Sequence, residues 1–305
     1  LTRSIKVDGT PTVASRWWQR LNQIIEPSSN TDNEMSQPWI AWTNRLTRPD
    51  TVVPCQPPKP VPPLNARPRT LPVTAIETWM RNPYNIYAKY ILKLRKLEPI
   101  DAEANSSDYG ILVHKILEEF IQAYPTKPPK NIEEKLIQIS IGFLKKNYFP
   151  PSLIAFWTSR FEQIANWLAE QEPKQREEVI KVFAEIEGSK TLNSINGPFV
   201  ITAKADRIES LKNGAISIID YKTGTPPGKK EVSAGNAPQL PLEALIASKG
   251  IFKGITSKDV VNLSYWHLKG KKGKNQIKAI ASGEDEVNRL VENVEEILLT
   301  LVKSF

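Results

Sequence analysis

A dense run of prolines between Pro49 and Pro72 most constrains what this chain can fold into. The run holds nine prolines. Proline has no backbone N–H and a fixed φ, so this density excludes a regular helix or sheet ladder and favours an extended, semi-rigid spacer. We therefore predict a linker over residues 49–72, which separates the tail of a preceding domain at 1–48 from a second domain at 73–305.

The chain is long enough to bury one sizeable hydrophobic core beside this spacer. Its 305 residues, 40% of them hydrophobic, suit one domain of about 200 residues plus an appendage. No run approaches the roughly 20 apolar residues of a membrane-spanning helix, and the first residues lack an export signal, so we expect no membrane association. Cys55 is the single cysteine, which excludes a disulfide framework or a cysteine-rich metal site within the chain and favours a reducing cytoplasm.

The residues before the prolines are typical of the end of another domain. Apolar side chains recur at helical spacing from Ser15 to Ile25 and predict an amphipathic helix. So short a segment offers that helix no partner surface, and the chain begins with Leu1 rather than Met. We therefore expect the chain to be a piece of a longer polypeptide.

The charge of the chain favours a polyanionic partner. Lysine and arginine total 41 against 33 acids, which gives a formal net charge of +8. Residues 260–283 contain no acid, and their lysines are Lys269, Lys271, Lys272, Lys274 and Lys278. The first four of these lysines are candidates for contact with phosphates. The alternative is a solvated basic loop.

The pattern of apolar residues changes from helical to strand-like at about residue 199. Helical periodicity covers residues 108–124, 131–147, 152–172 and 174–185, with prolines at the breaks. Earlier in the chain, Thr74 and Glu77 form a capping-box pattern that predicts the start of a helix. Towards the end, we predict a helix over 238–247, a strand over 260–268 and a last helix over 284–303.

A β-hairpin is predicted where the pattern changes. Two segments rich in β-branched residues, Phe199–Glu209 and Ala215–Tyr221, flank Lys212-Asn213-Gly214, and Gly214 can supply the positive φ of the turn. The apolar run that leads to Asp220 indicates a strand that enters a core.

Two carboxylates become neighbours if the hairpin loop has three residues. In that register Asp206 faces Asp220, with Cβ atoms about 4.5 to 5.5 Å apart. Two charges so close require compensation, and a divalent cation provides it. A two-residue turn would shift the pairing by one residue and send the carboxylates to opposite faces of the sheet, so the register stays open at this stage.

Several other polar residues are candidates for the same site. Lys222 projects from the same strand face as Asp220, where its ammonium could orient a water and stabilise a phosphate, although Asp-x-Lys also occurs as a plain surface ion pair. His114 and Glu118 share one face of a predicted helix and could act as metal ligand and support, or form a solvated face. Gln239 could reach a phosphate or metal-bound water, or only cap its helix.

The order of these motifs is that of a known family. The sequence contains, in order, Gly110-x-x-x-His114-x-x-x-Glu118, Asp206-Arg207, Ile219-Asp220-Tyr221-Lys222-Thr223-Gly224 and Gln239-Leu240. This order resembles the RecB-like branch of the PD-(D/E)xK nucleases over about residues 70–270. Val73–Tyr90 is similar to the start of the nuclease domain in the AddB family of bacterial helicase–nuclease subunits, and Ser15-Arg16-Trp17 is similar to the end of its helicase-like portion.

The resemblance implies a fold, a metal and a reaction. The expected fold is a restriction-endonuclease-like α/β core, a small mixed sheet flanked by helices, with a large helical insertion before the hairpin. The expected metal is Mg²⁺, replaceable by Mn²⁺, held by His114, Asp206, Asp220 and the Tyr221 carbonyl. Lys222 and Gln239 would assist hydrolysis of DNA phosphodiesters, with Glu118 in support.

The resemblance also implies partners and a cellular role. An AddA-like helicase–nuclease subunit would deliver single-stranded DNA to an exonuclease site, in double-strand break repair and recombination. The alternative is a catalytically silent module that binds DNA or docks a subunit of the same complex. A structural linker between the motor and another subunit is a third possibility.

The chain departs from the family pattern in two places. It has Ala203-Lys204-Ala205-Asp206-Arg207-Ile208-Glu209 where the family commonly shows Gly-Arg-x-Asp-Arg-x-Asp, which keeps the charges. Several relatives hold an iron–sulfur cluster with four cysteines, whereas this chain has Asn82 before Pro83 and no cysteine after Lys222. We therefore expect no iron–sulfur cluster.

Overall fold

A computed structural model describes the chain as two compact units, Leu1–Lys59 and Pro60–Phe305. It describes residues 6–7, 10–25, 37–48, 51, 54–57, 59–97, 104–147, 149–256, 259–271, 274–303 and 305. The boundary lies inside the proline-rich segment, whose role as a linker stays a prediction. Thr70–Pro72 form a strand of the second unit, so the predicted linker extends too far at its C-terminal end.

The first unit contains short elements with exposed aromatic side chains. Strands β1 (Lys6–Val7) and β2 (Thr10–Pro11) pair antiparallel, and the helices are α1 (Arg16–Ile25) and α2 (Gln37–Thr47). Helix α1 confirms the predicted amphipathic helix. Trp17 in α1 is 68% exposed, so within the described residues this helix keeps an apolar side chain at the surface.

The second unit is built on a seven-stranded mixed sheet. Its strands are β3 (Thr70–Pro72), β4 (Val179–Ser194), β5 (Gly197–Leu211), β6 (Ile216–Lys222), β7 (Ile251–Phe252), β8 (Val260–His267) and β9 (Gln276–Ser282). The order is β7-β4-β5-β6-β8-β9, and β3 also pairs with β5. The β3–β5 and β6–β8 pairs are parallel, and the other pairs are antiparallel.

Helices cover both faces of this sheet. They are α3 (Val73–Arg81), α4 (Pro83–Ile86), α5 (Ser106–Ala123), α6 (Ile132–Lys146), α7 (Pro151–Gln175), α8 (Lys229–Ser233), α9 (Gln239–Lys249) and α10 (Glu284–Lys303). This arrangement confirms the expected fold class, with α5–α7 as the helical segment before the hairpin. Among the described residues, no helix is long and apolar enough to span a membrane.

The central strand β6 is apolar on both sides because it separates two hydrophobic cores. Ile218 packs into the core on the α3, α9 and α10 side. Ile219 and Tyr221 pack into the core on the side of α5, α6 and α7. A strand covered on both faces is expected to be a continuous apolar run rather than an alternating one, as β6 is.

Two predictions about local structure are wrong. Residues 174–185 do not form a helix of their own: α7 continues through Pro173 to Gln175, and a 3₁₀ turn then leads into β4. The long ladder between β4 and β5 outweighs the local helical pattern. The predicted capping box is absent, since α3 begins at Val73 without a side-chain cap and Glu77 instead pairs with Arg81 at 2.9 Å.

One edge of β5 is shared by two strands that do not meet. Strand β4 pairs with β5 along nearly its whole length, so β3 and β6 must both lie on the other edge. There β3 pairs with residues 200–202, and β6 pairs with residues 207–210. Residues 203–206 have no ladder partner on this edge within the described part of the chain, which leaves an opening in the sheet at Asp206.

The alternation of side chains reverses at the same place. On β4, Val182 belongs to the core beside α5–α7, whereas Ile186, four residues later, belongs to the opposite core. On β5, Ala205 and Ile208 belong to the same core although they are three residues apart. The reversal on β4 includes Glu185, whose φ of 51° is in the left-handed region. Such a conformation in a residue other than glycine costs about 1–3 kcal/mol and is typical of functional sites.

A buried network of four charged side chains joins α7 to the hairpin beneath this opening. Arg207 is fully buried and bonds to both carboxylate oxygens of Glu172. It also lies 2.6 Å from Glu209, while Arg176 donates to Glu172 at 2.7 Å. Two cations and two anions balance each other, which a buried network requires.

Arg207 also fixes the ring of Tyr221. Its guanidinium donates to the Tyr221 hydroxyl at 3.3 Å and lies 4.8 Å from the centroid of the Trp266 ring. Burial alone would raise the pKa of Glu172, but the charges of Arg207 and Arg176 outweigh it and lower that pKa. The network therefore connects both strands of the hairpin to the helical segment.

We expect Glu172→Gln to destabilise the protein by about 3–5 kcal/mol at pH 7, because the change leaves buried cations without a compensating charge. A carboxylate with a lowered pKa contributes stability above its ordinary value of 4.5, and this contribution is lost as the pH falls through the lowered pKa. The variant should therefore lose less stability than the wild type between pH 7 and pH 3 in urea unfolding.

Glu178→Gln is the matched control, since Glu178 is 77% exposed and 3.6 Å from Lys212. We expect its unfolding free energy to stay within about 0.5 kcal/mol of the wild type. Equal effects of the two substitutions would contradict a stabilising role for the buried network.

Candidate active site

The hairpin turn has three residues, which is one of the two turn lengths that the residues around Gly214 allow. Leu211 N donates to Ala215 O at 2.8 Å, and Gly214 has a φ of 87°. The ladder pairs Arg207 with Ile219. The register that brings Asp206 and Asp220 to matching positions is therefore confirmed.

The predicted ladder pair of Asp206 and Asp220 is nevertheless not formed. The ladder ends at Arg207, and beyond it Tyr221 N donates to the Asp206 carboxylate at 2.8 Å. A side chain thus replaces the backbone acceptor, and β6 leaves β5 while the strands stay connected. Asp206 is thereby held at the opening in the sheet.

His114 bridges the two strands across this opening. Its Nδ1 lies 3.2 Å from Asp206 Oδ1, and its Nε2 lies 3.1 Å from the carbonyl oxygen of Tyr221. Burial would lower its pKa, but hydrogen bonds to Asp206 and Glu185 raise the pKa of His114 to about 10. The imidazole is therefore a cation when it binds nothing but these oxygens.

Helix α5 carries His114 to this position because it passes close to the end of β6. A Cβ built on Gly110 would lie 3.2 Å from Thr223 Oγ1, so a glycine here lets the helix approach. The helix begins with a capping box in which Asn105 accepts from Ser107 N and Asp108 accepts from Asn105 N. Gly110 and Thr223, which meet at this contact, both belong to the motifs found in the sequence.

Glu185 joins the site although no motif in the sequence pointed to it. It lies between the paired residues Ala184 and Ile186, opposite Asp206, and its carboxylate lies 3.9 Å from His114 Nδ1. Its other oxygen binds Lys204 at 2.5 Å. Residues 174–185 were predicted as a helix, so a strand residue of β4 could not be placed here.

These groups form a suitable cradle for a divalent cation. One possible ligand atom from each of His114, Glu185 and Asp206 lies within 4.8 Å of the others. Carboxylate oxygens, an imidazole nitrogen and a backbone carbonyl are donors that Mg²⁺ and Mn²⁺ accept. The Tyr221 carbonyl and Asp220 are the further oxygen donors nearby.

Asp220, Lys222 and Gln239 form a second cluster, and burial and the charge of Asp206 in the first cluster raise the pKa of Asp220. Lys222 Nζ lies 2.7 Å from Asp220 Oδ2 and donates to Gln239 Oε1 at 3.0 Å. The Gln239 amide donates to Asp220 Oδ1. Gln239 is the first residue of α9, and it fixes both the ammonium and the carboxylate with one amide group.

A second acid that the motifs did not reveal accepts a hydrogen bond from Gln239. Glu243, one helical turn later, is 1% exposed, and its Oε1 accepts from Gln239 Nε2 at 3.2 Å. Burial, together with the charges of Asp220 and Asp206, raises the pKa of Glu243 well above its usual range. The spacing of four residues in one helix was the available signal.

Two groups of predicted site residues lie outside these clusters. Glu118 binds Lys115 at 2.6 Å and Gln122 at 3.2 Å, and among the described residues it has no hydrogen bond or ion pair with the members of these clusters. The lysines of the basic stretch follow β8, where Leu268 N donates to Lys222 O at 2.8 Å. Lys269 is half-buried, Lys271 and Lys274 are exposed, and Lys272 lies outside the described residues.

The fold and the site agree with one family. The sequence profile described as "PD-(D/E)XK nuclease superfamily" matches residues 70–304. The chain belongs to the PD-(D/E)XK nuclease superfamily. Nucleases of this superfamily use divalent metals, in agreement with the donors around His114.

Similar proteins match this nuclease chain over only part of their length. An uncharacterized protein of Rickettsia bellii is 37% identical over 179 residues, which are 59% of this chain and 22% of that protein. One of Rickettsia conorii is 38% identical over 183 residues, again 59% and 22%. The aligned part is thus about a fifth of these relatives.

A more distant relative has a descriptive name. This protein of Streptococcus pyogenes is named as a subunit of an ATP-dependent helicase/deoxyribonuclease, and it is 26% identical over 159 residues, which are 51% of this chain and 14% of that protein. The name of this relative is that of a helicase–nuclease subunit, the class of protein that the sequence motifs resemble.

We expect Asp220→Asn to stabilise the metal-free nuclease domain by about 1–2 kcal/mol. Burial, and then the charge of Asp206, raise the pKa of Asp220 to about 6, so its ionised form opposes folding at pH 7. Loss of the Lys222 ion pair offsets part of this gain. Thermal unfolding with and without Mg²⁺ measures both effects, and only the wild type should gain stability from the ion.

Asp259→Asn serves as the control, because Asp259 is exposed just before β8. It should neither stabilise the metal-free protein nor reduce the gain from Mg²⁺. An Asp220→Asn variant that still gains stability from Mg²⁺ would show that Asp220 is not part of the metal site.

Proposed function

We propose that this chain is a metal-dependent deoxyribonuclease whose metal, Mg²⁺ with Mn²⁺ as a substitute, is held by His114, Asp206, Asp220 and the Tyr221 carbonyl. The observation that carries the proposal is the meeting of His114 from α5 with Asp206 and Tyr221 at the opening between β5 and β6. Carboxylates and a backbone carbonyl that converge on one imidazole at a sheet opening offer the donors that a divalent cation binds.

The residues around the metal have separate roles in phosphodiester hydrolysis. A bound divalent cation supplies Lewis acidity and a water of lowered pKa. Lys222 keeps its charge, because the attraction of Asp220 outweighs burial and raises the pKa of Lys222. Its ammonium stabilises negative charge that develops on the phosphate. Gln239 holds that ammonium beside Asp220.

The DNA substrate is proposed from charge and from the relatives. Lys269, Lys271 and Lys274 begin two residues after the β8 position that pairs with Lys222, so their charges lie beside the end of the sheet that carries the site. Lys272, in the same stretch, is included in the proposal. The stretch is anchored to α7, because Arg160 donates to Lys269 O at 3.1 Å and Asn275 donates to Gln163 O at 3.0 Å.

The whole protein is proposed to act with a helicase. The named Streptococcus relative and the resemblance to AddB support a role in double-strand break repair and recombination, with an AddA-like subunit that delivers single strands to an exonuclease site. In that arrangement residues 1–48 are the tail of a helicase-like domain. The cytoplasm is the proposed location.

Cleavage of an end-labelled single-stranded oligonucleotide in Mg²⁺ tests the enzymatic proposal. We expect Asp220→Asn and Lys222→Met each to lower the cleavage rate by about 100-fold or more, since both remove groups that act on the reacting phosphate. Asp259→Asn and Lys212→Met, at exposed positions, are the matched controls and should cleave like the wild type.

Calorimetry with Mn²⁺ and Ca²⁺ separates the proposal from its alternatives. In one outcome the protein binds metal and yet shows no cleavage that depends on Asp220 and Lys222. That result would indicate a catalytically silent module that binds DNA or docks a subunit. Absence of metal binding would indicate a structural role and contradict the proposed ligand set.

We expect Lys269→Glu, Lys271→Glu and Lys274→Glu in one variant to weaken binding of single-stranded DNA, measured in Ca²⁺ so that the strand is not cut. Each lost phosphate contact lowers the slope of log K against log salt by about 0.7 for single strands, so the slope should fall by about 2. The control variant changes Lys127, Lys130 and Lys145, three exposed lysines elsewhere, to Glu. Equal slopes in the two variants would remove the basic stretch from the DNA interface.

A further inference from the structure

A groove on the α3–α4 side of the second unit carries positive charge that no described residue neutralises. It has a volume of about 740 Å³ and is formed by α3, α4, the π-helical turn Tyr87–Ile91 and the segment that follows. Its cationic side chains are Lys89, Arg95 and Lys96, and no acid is among the described residues that line it. None of the three cations has an ion pair within the described chain.

The sequence of this region is unusual in composition. Residues 78–97 contain Arg81, Lys89, Lys93, Arg95 and Lys96 but no acid. Only Arg81 of these has an ionic partner in the described chain, Glu77 at 2.9 Å. Residues 78–97 are therefore a second basic stretch without acids, in addition to the one after β8. The motifs that resemble the nuclease family gave no indication of it.

The backbone folds so that these cations converge. Helix α4 continues into the π-helical turn, and then Lys93 adopts a φ of 55°. Leu94 N donates to Ala88 O at 2.9 Å, which returns the chain across the end of the helix. This C-terminal motif places Arg95 and Lys96 beside Lys89 instead of further along the helix axis.

The groove adjoins a second one that contains residues of the candidate site. The second groove, of about 680 Å³, is lined by Gln239, Glu243 and Lys204 at the opening of the sheet, and by Thr74 of α3. Thr74 lines both grooves. The two grooves therefore adjoin at Thr74, between the opening of the sheet and the cations Lys89, Arg95 and Lys96.

The chemistry of the path favours a single strand of nucleic acid. Each groove has the volume of a site for one small organic molecule, which accommodates a few nucleotides but not a duplex. Unpaired ammonium and guanidinium groups bind phosphates, and the ring of Tyr90 in the groove offers a surface on which a base can stack. The ammonium of Lys89 lies 5.6 Å from the centroid of this ring.

We propose that the groove of Lys89, Arg95 and Lys96 binds the part of a single-stranded DNA substrate that extends beyond the nucleotides at the metal site. The inference rests on the proposed function, because it assigns a path to the substrate of that site. It places the binding energy for a long strand in a region separate from the residues that act on the phosphate.

The test compares oligothymidylates of about 5 and about 20 nucleotides by fluorescence anisotropy in Ca²⁺, which prevents cleavage. We expect Lys89→Glu, Arg95→Glu and Lys96→Glu, combined in one variant, to weaken binding of the long strand by about 10-fold or more. The loss for the short strand should be at least several-fold smaller, because the short strand does not span both grooves.

Neutral substitutions provide a second measurement that depends less on folding. In a variant that combines Lys89→Gln, Arg95→Gln and Lys96→Gln, the slope of log K against log salt for the long strand should fall by about 2, which corresponds to three lost phosphate contacts. The variant with Lys127, Lys130 and Lys145 changed to Glu has the same change in net charge as the Glu variant and should bind both strands like the wild type.

Each outcome has a distinct meaning. Unchanged binding of the long strand by both groove variants would overturn the proposed path and leave the nuclease proposal intact, since Asp220→Asn tests that proposal separately. An equal loss for short and long strands would also overturn it. A wild type that binds neither strand would contradict both proposals.

Discussion

The hydrogen bond from Tyr221 N to the Asp206 carboxylate determines the geometry of the whole site. A regular antiparallel ladder would use a backbone acceptor at this position. Because a side chain accepts instead, β6 separates from β5 without losing its connection to it. The separation leaves the Tyr221 carbonyl free to meet His114, and it opens the sheet where β3 and β6 share one edge of β5. The reversal of side-chain alternation at Glu185 occurs at the same level of the sheet, opposite Asp206 on β5.

Two groups of charged side chains near this opening differ in their balance of charge. Beneath it, Glu172 and Arg207 belong to a network of equal positive and negative charge, which stabilises the junction between α7 and the hairpin. At the opening itself, carboxylates outnumber the cations that touch them, and the carboxyl groups of Asp220 and Glu243 have raised pKa values because they are buried near other acids. The balanced network ties α7 to both strands of the hairpin that carry Asp206 and Asp220. Rigidity of the supporting shell is what a site of this kind requires.

The sequence predicted the parts of this arrangement that depend on local spacing. The length of the hairpin turn sets the register, so the spacing of Asp206, Asp220 and Lys222 related them only for a three-residue turn. The structure decides between the two turn lengths, because Leu211 N donates to Ala215 O. Other parts depend on contacts between distant segments. Glu185 was assigned to a helix because residues 174–185 have helical periodicity, whereas pairing with β5 makes the chain from Val179 onwards a strand. Its left-handed backbone follows no sequence rule, and Glu118, with ideal helical spacing from His114, binds Lys115 instead.

The distribution of cations separates binding from chemistry. Near the candidate metal site, Lys222 and Lys204 form ion pairs with Asp220 and Glu185. Among the described residues, the cations without an ion pair include those after β8 and those in the groove of Lys89. Contacts with remote parts of a substrate position the reacting phosphodiester but do not stabilise the charge of its transition state. The side chains at the reacting phosphate do stabilise that charge. A strand that is held by unpaired cations will bind less tightly as salt increases, because the release of counterions from the phosphates then favours binding less. The paired, mostly buried groups at the centre are screened much less. Salt should therefore act mainly on capture of the strand, and the metal mainly on its cleavage.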